Sequence, residues 1–204
     1  ASADILRVIS GAQQDARSVF EAISQAGMNL LSCEGAAFMI RKGDHFIPEG
    51  GMQVSGGLKS LSPEPVKIDP ELNYPSQVFE SGEVIHIPDF AAVEVPVHER
   101  VSVPKFGMKS AVFLPMKRDG ITLGVLVFTR VTAPKAFTEE EIELAQSFCD
   151  QALIAVENVR LFNETQTSLA RQTASAEILR VISQSPDDVR PVFEAIAEAG
   201  VRLI

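Results

Sequence analysis

The feature that most constrains this chain is a long-range internal repeat. Ala1–Ser10 (ASADILRVIS) returns as Ala174–Ser183 (ASAEILRVIS), an offset of 173 residues. The match continues without a gap. Asp15, Arg17, Val19, Phe20, Glu21 and Ile23 recur as Asp188, Arg190, Val192, Phe193, Glu194 and Ile196, and 19 of 31 positions are identical. A period this long exceeds a solenoid unit and fits a whole domain with its connector. The chain is therefore expected to be a piece of a tandem-repeat protein, one full domain plus the first helix of a second copy.

Bulk properties narrow the class. With 46% hydrophobic and 22% charged residues the chain can bury a core and is not disordered. A net charge of -9 argues against nucleic acid, because phosphate binding needs a basic stripe. No apolar run approaches the roughly 18–20 residues that span a bilayer, and no signal peptide opens the chain. The two cysteines, Cys33 and Cys149, make no disulfide framework and suit a reducing compartment, so a cytoplasmic location is expected.

Hydropathy patterning predicts helices over 2–10 and over Asp15–Leu31, the second with Asp15 as N-cap and with Val19, Ile23, Ala26 and Leu30 on one face. Gly35–Arg41 and His45–Ile47 flank a turn and form a hairpin, and 48–74, rich in Gly, Pro and Ser, reads as mostly loop. Ser76 can cap a short helix that Gly82 stops. Val84–Ile87 is a short strand, 89–108 an irregular excursion, and Ala111–Met116 with Thr122–Val131 the clearest hairpin. Thr138-Glu-Glu-Glu141 is a capping box opening a helix. In that helix Ile142, Ala145, Cys149, Ala152, Val156 and Val159 follow heptad spacing. If continuous to Ser183 it would be about 65–70 Å long. A polar helix with a narrow apolar seam is unstable alone, so a partner helix is expected.

In this order of elements, Val84-Ile-His-Ile-Pro-Asp89, Ser110-Ala-Val-Phe-Leu-Pro115, Gly124-Val-Leu-Val-Phe128, Phe137-Thr-Glu-Glu-Glu-Ile-Glu-Leu144 and Ala155-Val-Glu-Asn-Val-Arg-Leu-Phe162 resemble the GAF domain of bacterial signalling proteins. The following segment resembles the connector helix between consecutive GAF domains of multi-domain sensor histidine kinases. The boundaries are then an incoming connector helix (1–13), a GAF-like domain (14–165), a connector helix (166–186) and the first helix of a truncated second copy (187–204). The resemblance implies an α+β fold. Its antiparallel sheet carries the N- and C-terminal helices on one face and a pocket beneath the excursion on the other, and a long connector helix follows. It also implies a homodimer through those helices, a small molecule in the pocket, and a sensory or regulatory role; the ligand and any cofactor stay unidentified.

Candidate pocket residues are His86, Asp89, Phe90, Phe106, Ser110 and Val112, since an excursion folded over a sheet supplies apolar cover with a few polar contacts. Each has an ordinary alternative. Asp89 suits a turn or helix cap, and His86, out of phase with Ile85 and Ile87, could face pocket or water. The seam residues Ile142 to Val159 are the candidate dimer and relay positions, where Cys149 also reads as a small buried hydrophobe. His45, His86 and His98 are too scattered for a metal site. Relatives that bind bilins or reduce methionine sulfoxide use pocket cysteines, and 48–130 contains none. The Asn-Lys-Phe-Asp-Glu signature of cyclic-nucleotide-binding relatives is also missing. With no nucleophile–base constellation or phosphate-binding loop, no catalytic residue is assigned. Three readings follow: a small-molecule sensor, a dimerisation and relay module without a ligand, and, least supported, an enzyme.

Overall fold

The computed structural model describes residues 16–54, 57–60 and 64–184. The expected helix over 2–10, the Asp15 cap and the second-copy positions Val192, Phe193, Ile196 and Leu203 lie outside these residues. The chain forms two units, Ala1–Glu157 and Asn158–Ile204. The first is α+β: helix α1 (Ala16–Leu31), strands β1 (Gly35–Lys42), β2 (His45–Val54), β3 (Gly57–Ser60) and β4 (Val66–Lys67), helix α2 (Tyr74–Ser81), strand β5 (Ile85–Ile87), a 3₁₀ turn (Phe90–Ala92), helix α3 (Glu99–Phe106), strands β6 (Ser110–Arg118) and β7 (Ile121–Arg130), and the start of helix α4 (Glu139–Gln184). No helix among the described residues is long and apolar enough to cross a membrane.

The sheet is antiparallel, in the order β3-β2-β1-β7-β6-β5, with β4 alongside β2. Its centre is built by the expected hairpins. Arg118 pairs with Ile121, so the β6–β7 loop is the dipeptide Asp119-Gly120, with φ of 51° and 79°. Both central residues are left-handed, the geometry whose twist matches the flanking strands and which Asp-Gly favours. Residues 48–54 and 57–60 are strand, not loop. β2 runs through Pro48 and Gly50-Gly51 to Val54, held by β1 on one side and β3 on the other. Pairing with β1 through Gly51 and with β3 from Gly51 onward overrides the low strand propensity of Gly and Pro there.

The sheet buries both faces. On one, Phe38, Val112, Leu126 and Phe128 are fully buried; the Phe20 ring of α1 lies 4.5 Å from that of Phe38, and Gly27 sits against Phe128. The buried stripe of α1 is Phe20, Ile23, Gly27, Met28 and Leu31, whereas Leu30, expected on that face, is 42% exposed. α1 ends in a left-handed Ser32 (φ 48°) with Cys33 N–H bonded to Met28 O (3.1 Å), a Schellman closure that satisfies an end carbonyl. On the other face Ile85, Ile87, Ala111, Phe113, Val125 and Val127 meet α2 and the excursion.

The N-cap of α2 is Asn73, not Ser76: Asn73 Oδ1 accepts the Ser76 N–H at 2.8 Å. Gly82 stops the helix with φ 65°, as its sequence position predicts. The capping box of α4 is reciprocal. Glu141 Oε2 accepts Thr138 N–H (2.8 Å) while Thr138 Oγ1 accepts Glu141 N–H (3.2 Å).

A Cβ on Gly27 would lie 2.4 Å from Phe128 Cζ. Gly27→Val is therefore expected to destabilise the domain by about 1–3 kcal/mol through overpacking. Urea unfolding measures this; an unchanged midpoint would show that α1 does not seat on Phe128.

Candidate functional site

The six candidate pocket residues divide between the two faces of the sheet. Strand alternation is the reason. Ile85 and Ile87 point into the cluster beneath the excursion, so His86 between them points to the helix-bearing face. Ser110 and Val112 alternate with Ala111 and Phe113 in the same way, and Val112 pairs with His86 and Phe128. Only Asp89, Phe90 and Phe106 belong to the excursion.

On the helix-bearing face, polar groups converge on Arg130, the last residue of β7, which is 3% exposed. Its Nη1 donates to Lys135 O (2.9 Å) and Ala136 O (2.8 Å), and its Nη2 to Leu31 O (3.0 Å) and Glu141 Oε1 (2.7 Å). The guanidinium stacks on Phe137 at 4.1 Å. Two candidates join this hub. Ser110 Oγ donates to Lys135 O (2.8 Å), and His86 Nε2 accepts the Phe137 N–H (3.0 Å). That bond requires a neutral His86 carrying its proton on Nδ1. Burial, and then the nearby Arg130 charge, lower the His86 pKa, which favours this form. The hub thus joins the end of α1, the end of β7, the loop before α4 and the first turn of α4.

The excursion face is apolar and aromatic. Tyr74 lies 5.4 Å from Phe113 and 6.4 Å from Phe90 between ring centroids, and Phe106, Val103 and Val95 close over them. Asp89 caps the 3₁₀ turn by accepting Ala91 N–H (2.8 Å). One charged side chain enters this region: Glu99, 4% exposed, whose Oε1 accepts the Tyr74 N–H (3.0 Å). Burial pushes its carboxyl up to about 7, opposed by the Tyr74 N–H. Two further bonds clasp the same junction, His98 N–H to Leu72 O (3.0 Å) and Asn73 Nδ2 to His98 Nδ1 (3.3 Å). Because Asn73 Oδ1 is committed to Ser76, its amide nitrogen must face His98.

Of the expected seam, Ala145 and Cys149 are wholly buried within the chain itself and Ile142 is half-buried. The start of α4 spends its apolar stripe on the domain's own core, not on a partner helix. Gln146 Nε2 bonds Pro115 O (3.1 Å) and Arg118 pairs with Glu157, which ties α4 to β6. The side chains of Ala152, Val156 and Val159 lie outside the described ones. Burial holds both thiols protonated, pushing Cys33 up to about 12 and raising Cys149, so neither is a ready nucleophile. Among the described residues no three His, Cys, Asp or Glu side chains group as metal ligands.

Arg130, Glu99 and Tyr74 carry the polar design of the two faces, and sequence reasoning passed over all three. Arg130 meets Lys135, Ala136 and Glu141 from 5, 6 and 11 residues away but Leu31 from 99, and Glu99 meets Tyr74 from 25, so no local pattern announces the long-range pairings.

Two measurements follow. Arg130→Met leaves Glu141 Oε1 and the Leu31 and Ala136 carbonyls without their donor, and is expected to cost about 3–5 kcal/mol in unfolding free energy; a loss below 1 kcal/mol would deny the hub its structural weight. Glu99 holds its proton more tightly folded than unfolded, so it lowers stability as pH rises from its ordinary 4.5 through about 7. Glu99→Gln removes that slope, and between pH 5 and 8 its stability relative to wild type should rise by about 2–3 kcal/mol. Parallel curves for the two proteins in urea would contradict the buried, raised carboxyl.

Comparisons with known proteins agree with this architecture. The family model of the GAF domain matches residues 15–156. Among solved structures, a methyl-accepting chemotaxis protein (residues 122 to 287) superposes with a TM-score of 0.63 at 16% identity, covering 78% of this chain and 96% of that one. The GAF domain of the Acinetobacter phosphoenolpyruvate-protein phosphotransferase gives 0.60 at 11% identity, covering 79% and 93%. The second GAF domain of DevS from Mycobacterium smegmatis gives 0.53 at 16%, covering 74% and 99%. Identities this low speak for the fold alone. Together with the family match over most of its length, they place the chain in the GAF domain family.

Proposed function

We propose that this chain is a sensory and regulatory link in a bacterial signalling protein with GAF domains in series, such as a sensor histidine kinase. A small molecule held between the sheet and the excursion biases α4, and paired α4 helices of two copies carry the change onward. The observation that carries this reading is the Arg130 hub. It attaches the first turn of α4 to the same strand end that receives α1, so a shift of the sheet acts on both helices together. The repeat supports the serial arrangement, with 14–165 as the domain, 1–13 and 166–186 as connector and 187–204 opening the next copy. The chemotaxis protein and the DevS second GAF domain among the structural neighbours fit the same picture.

Within the second unit, Leu161 (49%), Leu169 (55%) and Leu179 (65%) are exposed along α4. An isolated helix gains from covering such side chains, and a second copy of this chain is the proposed cover. A relay without any ligand is the second reading, favoured by the close ring packing of Tyr74, Phe90 and Phe113.

Sedimentation equilibrium at tens of micromolar should show a dimer that Leu161→Glu with Leu169→Glu converts to monomer. A wild-type monomer at high micromolar concentration would remove the helix-pair relay. A thermal-shift panel of metabolites, with mass spectrometry of co-purified molecules, separates the sensor from the ligand-free relay: a stabilising compound supports the sensor, and uniform silence supports the relay.

A further inference from the structure

The first unit treats its two most deeply buried charges in opposite ways. Arg130 meets four acceptors through Nη1 and Nη2, one of them a carboxylate, and only its Nε has no partner among the described residues. Glu99 meets a single backbone donor through Oε1, and its Oε2 has no hydrogen-bond partner among the described residues. A buried carboxylate oxygen without a donor is costly, and most buried polar atoms in folded proteins avoid it.

Helical spacing shows where this oxygen sits. Glu99, Val103 and Phe106 fall at i, i+4 and i+7 on one face of α3, and Val103 and Phe106 pack into the aromatic cluster. The carboxylate is therefore on the cluster side, next to Tyr74. The basic side chains nearby are engaged elsewhere. Arg100 bonds Val95 O and Glu94 on the exposed side, and Lys105 is exposed and stacks on the Phe106 ring at 5.2 Å. His98 faces Asn73. From the sheet, Arg41 lies over Phe79 at 5.8 Å. None supplies the missing donor.

We infer that Glu99, with the rings of Tyr74, Phe90 and Phe113, recognises a small organic cation, an ammonium whose N–H bonds to Glu99 Oε2 while its carbon body lies against the rings. The inference rests on the small-molecule reading above and names the chemical class for it. Ring faces carry negative potential and attract cations. A carboxylate adds a charge-assisted hydrogen bond and turns anions away. Hydrogen bonds between 72–74 and 98–99 hold α3 to α2 beside this carboxylate, so entry of the cation requires this junction to open. With the free carboxyl titrating near 7, a cation that binds the ionised form expels a proton, and its affinity rises with pH.

The test uses the 204-residue protein and benzylammonium as probe, with amide chemical shifts followed by NMR. Expected are shifts at Tyr74, Glu99 and Phe113, and an affinity about tenfold higher at pH 8 than at pH 6. Glu99→Gln, whose amide oxygen can still accept from Tyr74, should weaken binding at least about tenfold and abolish the pH dependence. Phe90→Leu keeps the carboxylate and should weaken binding several-fold; benzoate should move nothing. Equal binding of benzyl alcohol or benzoate, or binding indifferent to Glu99→Gln, overturns the cation assignment. If benzylammonium is silent while an uncharged or anionic compound from the thermal-shift panel moves these amides, the cation assignment falls and the small-molecule reading stands. Silence from the probe and the panel alike overturns both.

Discussion

The side chain on which the rest of the domain depends is Arg130. A buried guanidinium demands acceptors in its own plane, because leaving it unpaired costs several kcal/mol. Here the acceptors come from three separate segments: the last turn of α1, the loop at 135–136 and the first turn of α4. Leu31 O is one of the carbonyls a helix end leaves unmatched, so the arginine closes α1 while it anchors α4. A lysine has no planar fork and could not reach these acceptors together. The helix that enters the domain and the helix that follows it are thereby fastened to one strand end.

The two faces of the sheet divide the labour. One face carries the helices and the polar hub; the other carries an aromatic cluster closed by the excursion. Strands β5 and β6 belong to both. β5 sends Ile85 and Ile87 into the cluster and His86 to the loop before α4, and β6 does the same with Phe113 on one side and Ser110 on the other. A displacement in the cluster that shifts β5 or β6 must move a hydrogen-bond partner of residues 135–137. That alternation supplies a contiguous physical link between the proposed ligand face and α4.

Where the determinants were local, the elements were legible in the sequence. The Asp119-Gly120 turn, the Gly82 stop and the Thr138–Glu141 capping box rest on residues within a few positions of each other, and each forms as its residue types require. The α2 cap, where Asn73 and Ser76 are both capable cap residues, is settled only by the backbone; the other differences lie where partners are distant. The strands within 48–60 look like loop until β1 pairs with β2 as far as Gly51 and β3 pairs with it from Gly51 to Val54. On α1 the spacing places Ile23 correctly but does not separate Leu30 from Leu31, which are equally apolar and which only contact with the sheet distinguishes.

By itself the sequence determined the repeat, the family, the central hairpins, the Asp119-Gly120 turn, the Gly82 stop and the Thr138–Glu141 capping box, since these depend on spacing and on short-range backbone chemistry. It also determined which residues of a strand share a face. Only the tertiary structure decided what each face meets. Period-two alternation separates His86, Ser110 and Val112 from Ile87 and Phe113 but is silent on which set lies under the excursion. The pairings of Arg130 with Leu31 and of Glu99 with Tyr74 span 99 and 25 residues. Buried charges find their partners through chain closure, a property of the whole fold that no local window contains.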